Sequence, residues 1–221
     1  PNTARGIAAG KFNVDEFLKN HKTVKREDVV IQKGGYMAHY NTTTLGNSAP
    51  SGVIGWLDTP NRMKPAEGKC RLTSFSSKNM QKYESTFPFF DFIDKAFKKI
   101  EPERYEQQLH RAKMTKARIA DTCFSTITVN YNWRTALHQD AGDYKLGFGC
   151  FTVAENSEHK TSFEGCELMF PMYNVAVNVR QGDILLFDSH EWHCNSRAEF
   201  GKEKERLSFV CYLRTDMLAA C

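Results

Sequence analysis

The chain has 221 residues, of which 41% are hydrophobic and 25% are charged, with a formal net charge of +4 at pH 7. This length allows one well-buried core, and the composition excludes a largely disordered chain. No apolar run approaches the roughly 20 residues that a membrane helix needs, so no membrane partner is expected, whereas the mild positive charge is compatible with a polyanionic partner.

The first half of the chain is predicted to contain short strands followed by two helices. A turn signal at residues 51–52 precedes an apolar stretch at residues 53–57 that is typical of a strand. Apolar residues then recur at helical spacing over residues 88–100. Pro102 predicts the start of a second helix that ends near Lys113, because proline is tolerated in the first helical turn.

Both predicted helices carry many lysine and arginine side chains, among them Lys98, Lys99 and Arg104. These side chains could contact phosphates. They alternate with Glu101 and Glu103, however, so an ordinary solvated helix face is the favoured interpretation.

The second half of the chain is predicted to be all-β. Apolar and polar residues alternate over residues 127–133, as a strand with one buried face requires. Further strand-like runs lie at about 146–153, 166–170, 174–180, 183–188 and 206–213. Helices followed by strands predict an α+β fold in which a sandwich or barrel of strands is buttressed on one side by helices.

The seven cysteines are scattered along the chain and form no Cys-x-x-Cys pair. This pattern argues against a disulfide framework or a cysteine zinc site. We expect most of them to be buried thiols that pack as small hydrophobic residues, in an intracellular reducing compartment.

A candidate metal site follows the first strand of the β half. His138 and Asp140 stand just past that strand, where an imidazole and a carboxylate can point at one position. A second histidine about fifty residues later, His193, would complete a set of two histidines and one carboxylate on one face of an iron ion, with positions left for a bidentate cosubstrate and O2. His190 competes with His193, but the preceding strand must end before its ligand turns, which favours His193. By itself His-x-Asp is a weak signal that a surface histidine beside a turn also produces.

Arg206 stands at the start of the last predicted strand, 13 residues after His193. A guanidinium inside a β-barrel needs a partner, because an unpaired buried charge is costly. A bidentate salt bridge with the distal carboxylate of 2-oxoglutarate would provide one. The alternative is a surface pair with Glu203 or Glu205.

The combined pattern resembles the TET/JBP oxygenases, the 5-methylcytosine dioxygenases and base-J thymine hydroxylases, and in particular their compact phage and viral relatives. The resemblance runs over residues 124–214, with further likeness at residues 70–73 and 102–105, and it is most specific at residues 135–143 and 182–214. The motifs that carry it are Thr-Ala-Leu-His-Gln-Asp at 135–140, Phe-Glu-Gly-Cys-Glu-Leu-Met-Phe-Pro at 163–171, Gly-Asp at 182–183, Glu-Trp-His at 191–193 and Arg-Leu-Ser at 206–208.

The resemblance implies a double-stranded β-helix, or jelly roll, that hydroxylates a methyl group on a DNA pyrimidine with Fe(II), 2-oxoglutarate and O2. His138, Asp140 and His193 would hold iron, and Arg206 would bind 2-oxoglutarate. Asp143 would face the exocyclic group of a flipped or single-stranded base, and an acceptor there suits the amine of 5-methylcytosine better than thymine. Arg214 stands where TET enzymes have a histidine that touches the base.

The resemblance therefore favours oxidation of 5-methylcytosine to 5-hydroxymethylcytosine, with further oxidation allowed. Thymine hydroxylation in DNA and hydroxylation of a protein or small molecule are the enzymatic alternatives. A metal-free β-sandwich that binds nucleic acid or protein is the non-enzymatic one. We expect residues 1–221 to form a single, monomeric dioxygenase domain, with supporting elements over 1–121 and the β core over 122–221, located in the nucleus or, for a viral protein, the host cytoplasm.

Overall fold

The computed structural model describes residues 31–32, 35–36, 51–58, 70–135, 137–155, 163–199, 206–215 and 217. Its helices are α1 Ser74–Lys78, α2 Met80–Glu84, α3 Phe87–Ile100 and α4 Pro102–Ala112, and a short 3-10 helix covers Pro171–Tyr173. Its strands are β1 Ile31–Gln32, β2 Gly35–Tyr36, β3 Ser51–Asp58, β4 Cys70–Leu72, β5 Thr126–Tyr131, β6 Gly149–Glu155, β7 Glu164–Gly165, β8 Leu168–Phe170, β9 Val175–Val177, β10 Ile184–Phe187, β11 Cys194–Asn195, β12 Ala198–Glu199 and β13 Arg206–Tyr212.

The described strands form a six-stranded sheet, a three-stranded sheet and two short strand pairs. The large sheet has six antiparallel strands in the order β10-β6-β13-β5-β3-β4. The smaller sheet has the order β11-β8-β9, and two further two-stranded pairs join β1 to β2 and β7 to β12. The most central strand pair is β13 with β5, in which Leu207 lies opposite Tyr131 and Tyr212 opposite Thr126.

One face of the large sheet packs against the helices. Its apolar cluster contains Phe90, Ile93 and Phe97 of α3 together with Ile127, Cys150 and Cys211 of the sheet. The amphipathic pattern of α3 requires such an apolar neighbour, because its buried stripe cannot remain in water. The exposed side of α3 carries Lys95, Lys98 and Lys99, of which Lys95 pairs with Asp91 and Lys98 with Glu106.

Two buried polar side chains tie the helices to the segments just before β5 and β6. The Asp94 carboxylate accepts hydrogen bonds from the Tyr105 hydroxyl and the Cys123 backbone amide, each at 2.7 Å. Gln108 donates to the Cys123 carbonyl at 3.2 Å and accepts from the Phe148 amide at 3.0 Å. Because these polar groups are satisfied, their burial does not carry the penalty of an unpaired buried group.

The other face of the large sheet meets the smaller sheet across a second apolar cluster. Phe151, Val153 and Phe187 of the large sheet pack there against Leu168 of β8 and Phe163. A third cluster, of Leu137, Met169 and Cys194, lies on the smaller sheet's other side. The molecule is therefore a β-sandwich with helices on one outer face, and the α+β prediction is confirmed.

Most elements predicted from periodicity are confirmed, with ends that differ by a few residues. The predicted helices correspond to α3 and α4, and the predicted strands to β3, β5, β6, β8, β9, β10 and β13. The turn expected at residues 51–52 is wrong, because β3 already begins at Ser51 and pairs with β5 from that residue. Among the described residues, no helix has both the length and the apolar character that a membrane span needs.

The cysteines of the described residues are mostly buried thiols, as predicted. Five of them, at positions 123, 150, 166, 194 and 211, are free and buried. Cys70, in contrast, is disulfide-bonded, which the scattered spacing of the cysteines did not predict. Burial raises the pKa of the five free thiols, for Cys194 to about 12. These side chains therefore stay neutral near pH 7 and pack as small apolar groups.

Candidate active site

Three side chains meet between the two sheets. Possible ligand atoms of His138, Asp140 and His193 all lie within 4.8 Å of one another. The Asp140 carboxylate faces both imidazoles, with one oxygen 3.7 Å from Nε2 of His138 and the other 3.7 Å from Nε2 of His193. His193 is 4% exposed, whereas the other two side chains are partly open, so the cluster is accessible from one side.

The backbone explains why the two histidines meet. His138 and His193 form an isolated antiparallel bridge in which each amide donates to the other's carbonyl at 3.0 Å. Their neighbours Leu137 and Cys194 belong to the apolar cluster on the smaller sheet's outer side. Because successive side chains of an extended chain point in opposite directions, both imidazoles face the interior. There the His193 ring packs edge to face on Phe187, with centroids 5.2 Å apart.

A backbone hydrogen bond orients the His193 ring. Its Nδ1 lies 2.7 Å from the carbonyl oxygen of Glu191, a contact that requires the proton on Nδ1. Nε2 then presents its lone pair toward Asp140 and His138, and a backbone carbonyl in this role is the usual support of a metal-binding histidine. His190, the competing candidate, instead pairs through Nδ1 with Asp188 at 3.0 Å and is not part of the cluster.

This donor set fits Fe(II). Two imidazole nitrogens and one carboxylate on one side of a metal ion leave its opposite positions open for further ligands, the arrangement of non-haem iron oxygenases. Among the described residues no sulfur ligand belongs to the cluster, whereas structural zinc sites are typically built from cysteine ligands.

Arg206 lies buried between the sheets. It is 1% exposed, so its side chain does not lie on the surface. The alternative partners, Glu203 and Glu205, lie outside the described residues. Its guanidinium carbon lies 5.4 Å from the Phe151 ring centroid and 5.3 Å from that of Phe163. Two aromatic rings thus hold the side chain in place by cation–π contact.

Asn132 fixes the backbone of Arg206. It follows β5 and adopts a left-handed conformation, with φ of +48°. Its side-chain oxygen accepts a hydrogen bond from the Arg206 amide at 2.8 Å, and its own amide donates to the Arg206 carbonyl at 2.9 Å. Asparagine tolerates this conformation better than most residues, which explains its position at the strand end.

The residues predicted to read the base also meet. Asp143 is 8% exposed and forms an isolated antiparallel bridge with Arg214, just past the end of β13. The Asp143 carboxylate accepts a hydrogen bond from the Ser189 hydroxyl at 2.8 Å, and the Ser189 carbonyl accepts from the amide of Asp140 at 2.8 Å. Nη2 of Arg214 lies close over Gly142, 3.6 Å from the position of an added Cβ. One short loop thus connects the Asp143–Arg214 pair to the metal cluster.

Sequence reasoning missed several supporting residues. Asn132, Ser189 and Phe163 act through hydrogen bonds and ring contacts that depend on chain segments far apart in sequence. The only available signal was the adjacency of Ser189 to the end of a predicted strand. Phe148 packs in the helix-side core beneath Arg104 and takes no part in the site.

The fold and the cluster together define an iron- and 2-oxoglutarate-dependent oxygenase, and comparison with known proteins agrees. Residues 55–215 match the Tet_JBP family, described as the oxygenase domain of the 2OGFeDO superfamily. The chain therefore belongs to this family of oxygenase domains.

Similar proteins include thymine dioxygenases of trypanosomatids. The chain is 35% identical over 215 residues to thymine dioxygenase JBP1-B of Trypanosoma cruzi, which covers 96% of this chain and 25% of the relative. It is 36% identical over 173 residues to thymine dioxygenase JBP1 of Crithidia fasciculata, covering 77% of this chain and 20% of that protein. The chain thus spans about a quarter or less of the length of these relatives.

A solved structure confirms the fold. The structure of NgTET1 in complex with 5mC DNA matches with a TM-score of 0.58 and 16% sequence identity, over 77% of this chain and 62% of that one. The double-stranded β-helix predicted from the sequence is therefore confirmed. Membership of the superfamily implies Fe(II), 2-oxoglutarate and O2 as its cofactor and cosubstrates.

Proposed function

We propose that this chain hydroxylates the 5-methyl group of a pyrimidine base in DNA. The observation that carries the proposal is one continuous site, in which the cluster of His138, Asp140 and His193 adjoins the Asp143–Arg214 pair. The similar trypanosomatid proteins are thymine dioxygenases. The partner is accordingly DNA, with the base flipped out of the duplex or presented on a single strand, because a stacked base cannot reach a site between two sheets.

The residues have separate tasks in this proposal. His138, Asp140 and His193 hold Fe(II), which with 2-oxoglutarate and O2 supplies the oxidant for the methyl C–H bond. Arg206 binds the distal carboxylate of 2-oxoglutarate with its guanidinium fork, and Phe151 and Phe163 exclude water around that salt bridge. Asp143 and Arg214 hold the base so that its methyl group points at the cluster.

Thymine is the first candidate base, because the similar trypanosomatid proteins are thymine dioxygenases. Its polar groups also match the side chains of Asp143 and Arg214. The Asp143 carboxylate would accept from the N3–H of thymine while Arg214 donates to a ring carbonyl. The second candidate is 5-methylcytosine, favoured by Asp143 as an acceptor for the N4 amine. In both cases the Ser189 hydroxyl donates to one carboxylate oxygen of Asp143 and so fixes its orientation toward the base.

We also propose that residues 1–221 act as one dioxygenase domain. The family match begins at residue 55 and therefore includes the second half of β3 and the helices as well as the later strands. In the large sheet, β3 pairs directly with β5. Removal of β3 would therefore expose an edge of the sheet that carries Arg206.

Mass spectrometry of nucleosides tests the proposal. DNA that contains both thymine and 5-methylcytosine is incubated with the protein, Fe(II) and 2-oxoglutarate. We expect 5-hydroxymethyluracil as the main product; 5-hydroxymethylcytosine instead would assign the second candidate. If both bases stay unchanged while 2-oxoglutarate is still converted to succinate, the substrate is a protein or small molecule. If succinate is not formed either, the better interpretation is a metal-free β-sandwich that binds nucleic acid or protein.

A further inference from the structure

The loop that follows Asp143 runs from the Asp143–Arg214 pair to helix α4. Its first amide, that of Tyr144, donates to the carbonyl of the residue just before Arg214, at 2.7 Å. At the end of the loop, the Phe148 amide donates to the side-chain oxygen of Gln108 on α4, at 3.0 Å. Hydrogen bonds at both ends of this short loop therefore place α4 next to the position that we propose for the base.

One face of α4 is turned toward this loop, and two arginines lie on it. Gln108 marks the face; Arg104 precedes it by four residues and Arg111 follows it by three, and side chains at these spacings share one side of a helix. The Arg104 guanidinium stacks on the Phe148 ring, 4.3 Å from its centroid. Such stacking fixes a guanidinium while the donors at its edge stay available for an anion.

The far end of the same face reaches the chain segment behind Arg214. Just past α4, the Thr115 hydroxyl donates to the carbonyl of Met217 at 3.4 Å. Arg111 therefore lies between two contacts that join α4 to the loops of the Asp143–Arg214 pair. Lys145, exposed on the loop itself, adds a third positive charge. Arg104, Arg111 and Lys145 together are called the basic rim below.

No carboxylate of the described residues neutralises the basic rim. None of its three cations forms an ion pair in that part of the chain, and Nε of Arg111 is buried there without a hydrogen-bond partner. Cations on α3 differ, since Lys95 pairs with Asp91 and Lys98 pairs with Glu106. Three positive charges on adjoining segments, without acidic partners, attract a polyanion.

Building on the proposed function, we propose that the basic rim binds backbone phosphates of the DNA strand that carries the target base. The rim adjoins the pair that would hold the base, so the phosphates next to the flipped nucleotide are its natural ligands. The two arginines offer planar donor forks for phosphate oxygens, and Lys145 adds a point charge. Phosphate contacts position a strand without reading its sequence. The rim thus contributes affinity, whereas Asp143 and Arg214 choose the base.

The test measures DNA binding as a function of salt. Anisotropy of a fluorescein-labelled duplex that contains thymine and 5-methylcytosine gives the affinity of the Fe(II)-loaded protein under anaerobic conditions. The rim variants are Arg104→Gln, Arg111→Gln and Lys145→Gln, and Lys145→Arg retains the charge. Lys95→Gln is the control, because it removes one positive charge from an exposed position on α3. Thermal unfolding identifies any variant that does not fold; Lys145 lies on an exposed loop, so its variants do not depend on core packing.

Each glutamine variant of the rim should make the plot of log affinity against log salt shallower by about 0.9, the value for one phosphate contact on duplex DNA. Its KM for DNA should rise while kcat stays close to that of the wild type. Lys145→Arg and Lys95→Gln should keep the wild-type slope. Folded rim variants with an unchanged slope, or a Lys95→Gln control that loses as much as they do, would overturn the basic rim.

Nucleoside analysis of parallel aerobic reactions with 2-oxoglutarate tests the proposed function separately. A wild type that binds DNA with a rim-dependent slope but modifies no base would overturn the proposed function and support the rim. A wild type that modifies DNA, with rim variants that bind and react as it does, would overturn the rim and leave the proposed function standing.

Discussion

The two faces of the six-stranded sheet are built for different purposes, and β13 shows the difference residue by residue. Phe209 and Cys211 point toward the helices and join the apolar core. Arg206 and Ser208, which alternate with them, are buried polar residues of the opposite face. Because neighbouring residues of a strand point to opposite sides, one strand contributes to stability through one set of side chains and to chemistry through the other. Changes on the two faces should therefore have separable consequences.

The largest separation is expected between two nearby histidines. His193→Ala should abolish iron binding and turnover, because it removes one of the three proposed ligands. His190→Ala should leave both largely intact, since that side chain pairs with Asp188 outside the cluster. Iron content after anaerobic loading and product formation measure the two variants. Equal losses in both would mean that the metal site has been assigned to the wrong histidine.

On the helix-covered face, Phe97→Ala should lower the free energy of unfolding by about 3–5 kcal/mol. Phe97 is fully buried and contacts the rings of Tyr105 and Phe148. Phe92→Ala on the same helix should change stability little, because Phe92 is exposed. Chemical denaturation gives both values. A changed KM for 2-oxoglutarate in the folded fraction of Phe97→Ala would contradict the claim that the two faces of the sheet act separately.

On the inner face, Arg206→Lys should raise the KM for 2-oxoglutarate by roughly 10- to 100-fold, because an ammonium lacks the bidentate fork. Arg180→Lys is the matched control. The Arg180 guanidinium also stacks on Phe163, at 4.1 Å, but donates to the Phe163 carbonyl. Steady-state kinetics with varied 2-oxoglutarate separates KM from kcat. A similar increase in both variants would contradict a specific role for Arg206.

A smaller effect is expected from Asn132, which positions Arg206. Asn132→Gly keeps the left-handed backbone but removes the acceptor for the Arg206 amide, so KM for 2-oxoglutarate should rise about five-fold. Asn132→Asp retains an acceptor oxygen and should remain close to the wild type. If the glycine variant instead changes kcat at constant KM, Asn132 acts through something other than Arg206.

The smallest effect concerns pH and the helix-side thiols. Burial raises the pKa of Cys150 and Cys211, so the folded state favours the neutral thiols. Their contribution to stability is complete below the unfolded pKa of about 8.5 and decreases as pH rises above it. At pH 8 both should react with a thiol reagent only when the chain unfolds. Labelling followed by peptide mass spectrometry checks this, and rapid labelling of the native protein would contradict it.

Sequence patterns predicted the elements with strong periodicity well, such as α3 and β13, since burial of one face dictates the pattern. They were less reliable where pairing between strands decides the structure. At Ser51, for example, a dipeptide typical of a turn forms part of β3 because it pairs with β5. For the site, the spacing suggested His138, Asp140, His193 and Arg206. The supports that orient them, Asn132 and the Glu191 carbonyl, depend on tertiary contacts that no local pattern contains.

An anaerobic titration of Fe(II) in the presence of 2-oxoglutarate tests the central claim most directly. A visible charge-transfer band is expected only when metal and 2-oxoglutarate bind the same site together. We predict that the wild type and His190→Ala develop this band, that His138→Ala does not, and that Arg206→Lys requires more 2-oxoglutarate to reach it. A wild type without the band, or a His138→Ala variant that retains it, would contradict the assignment of the site.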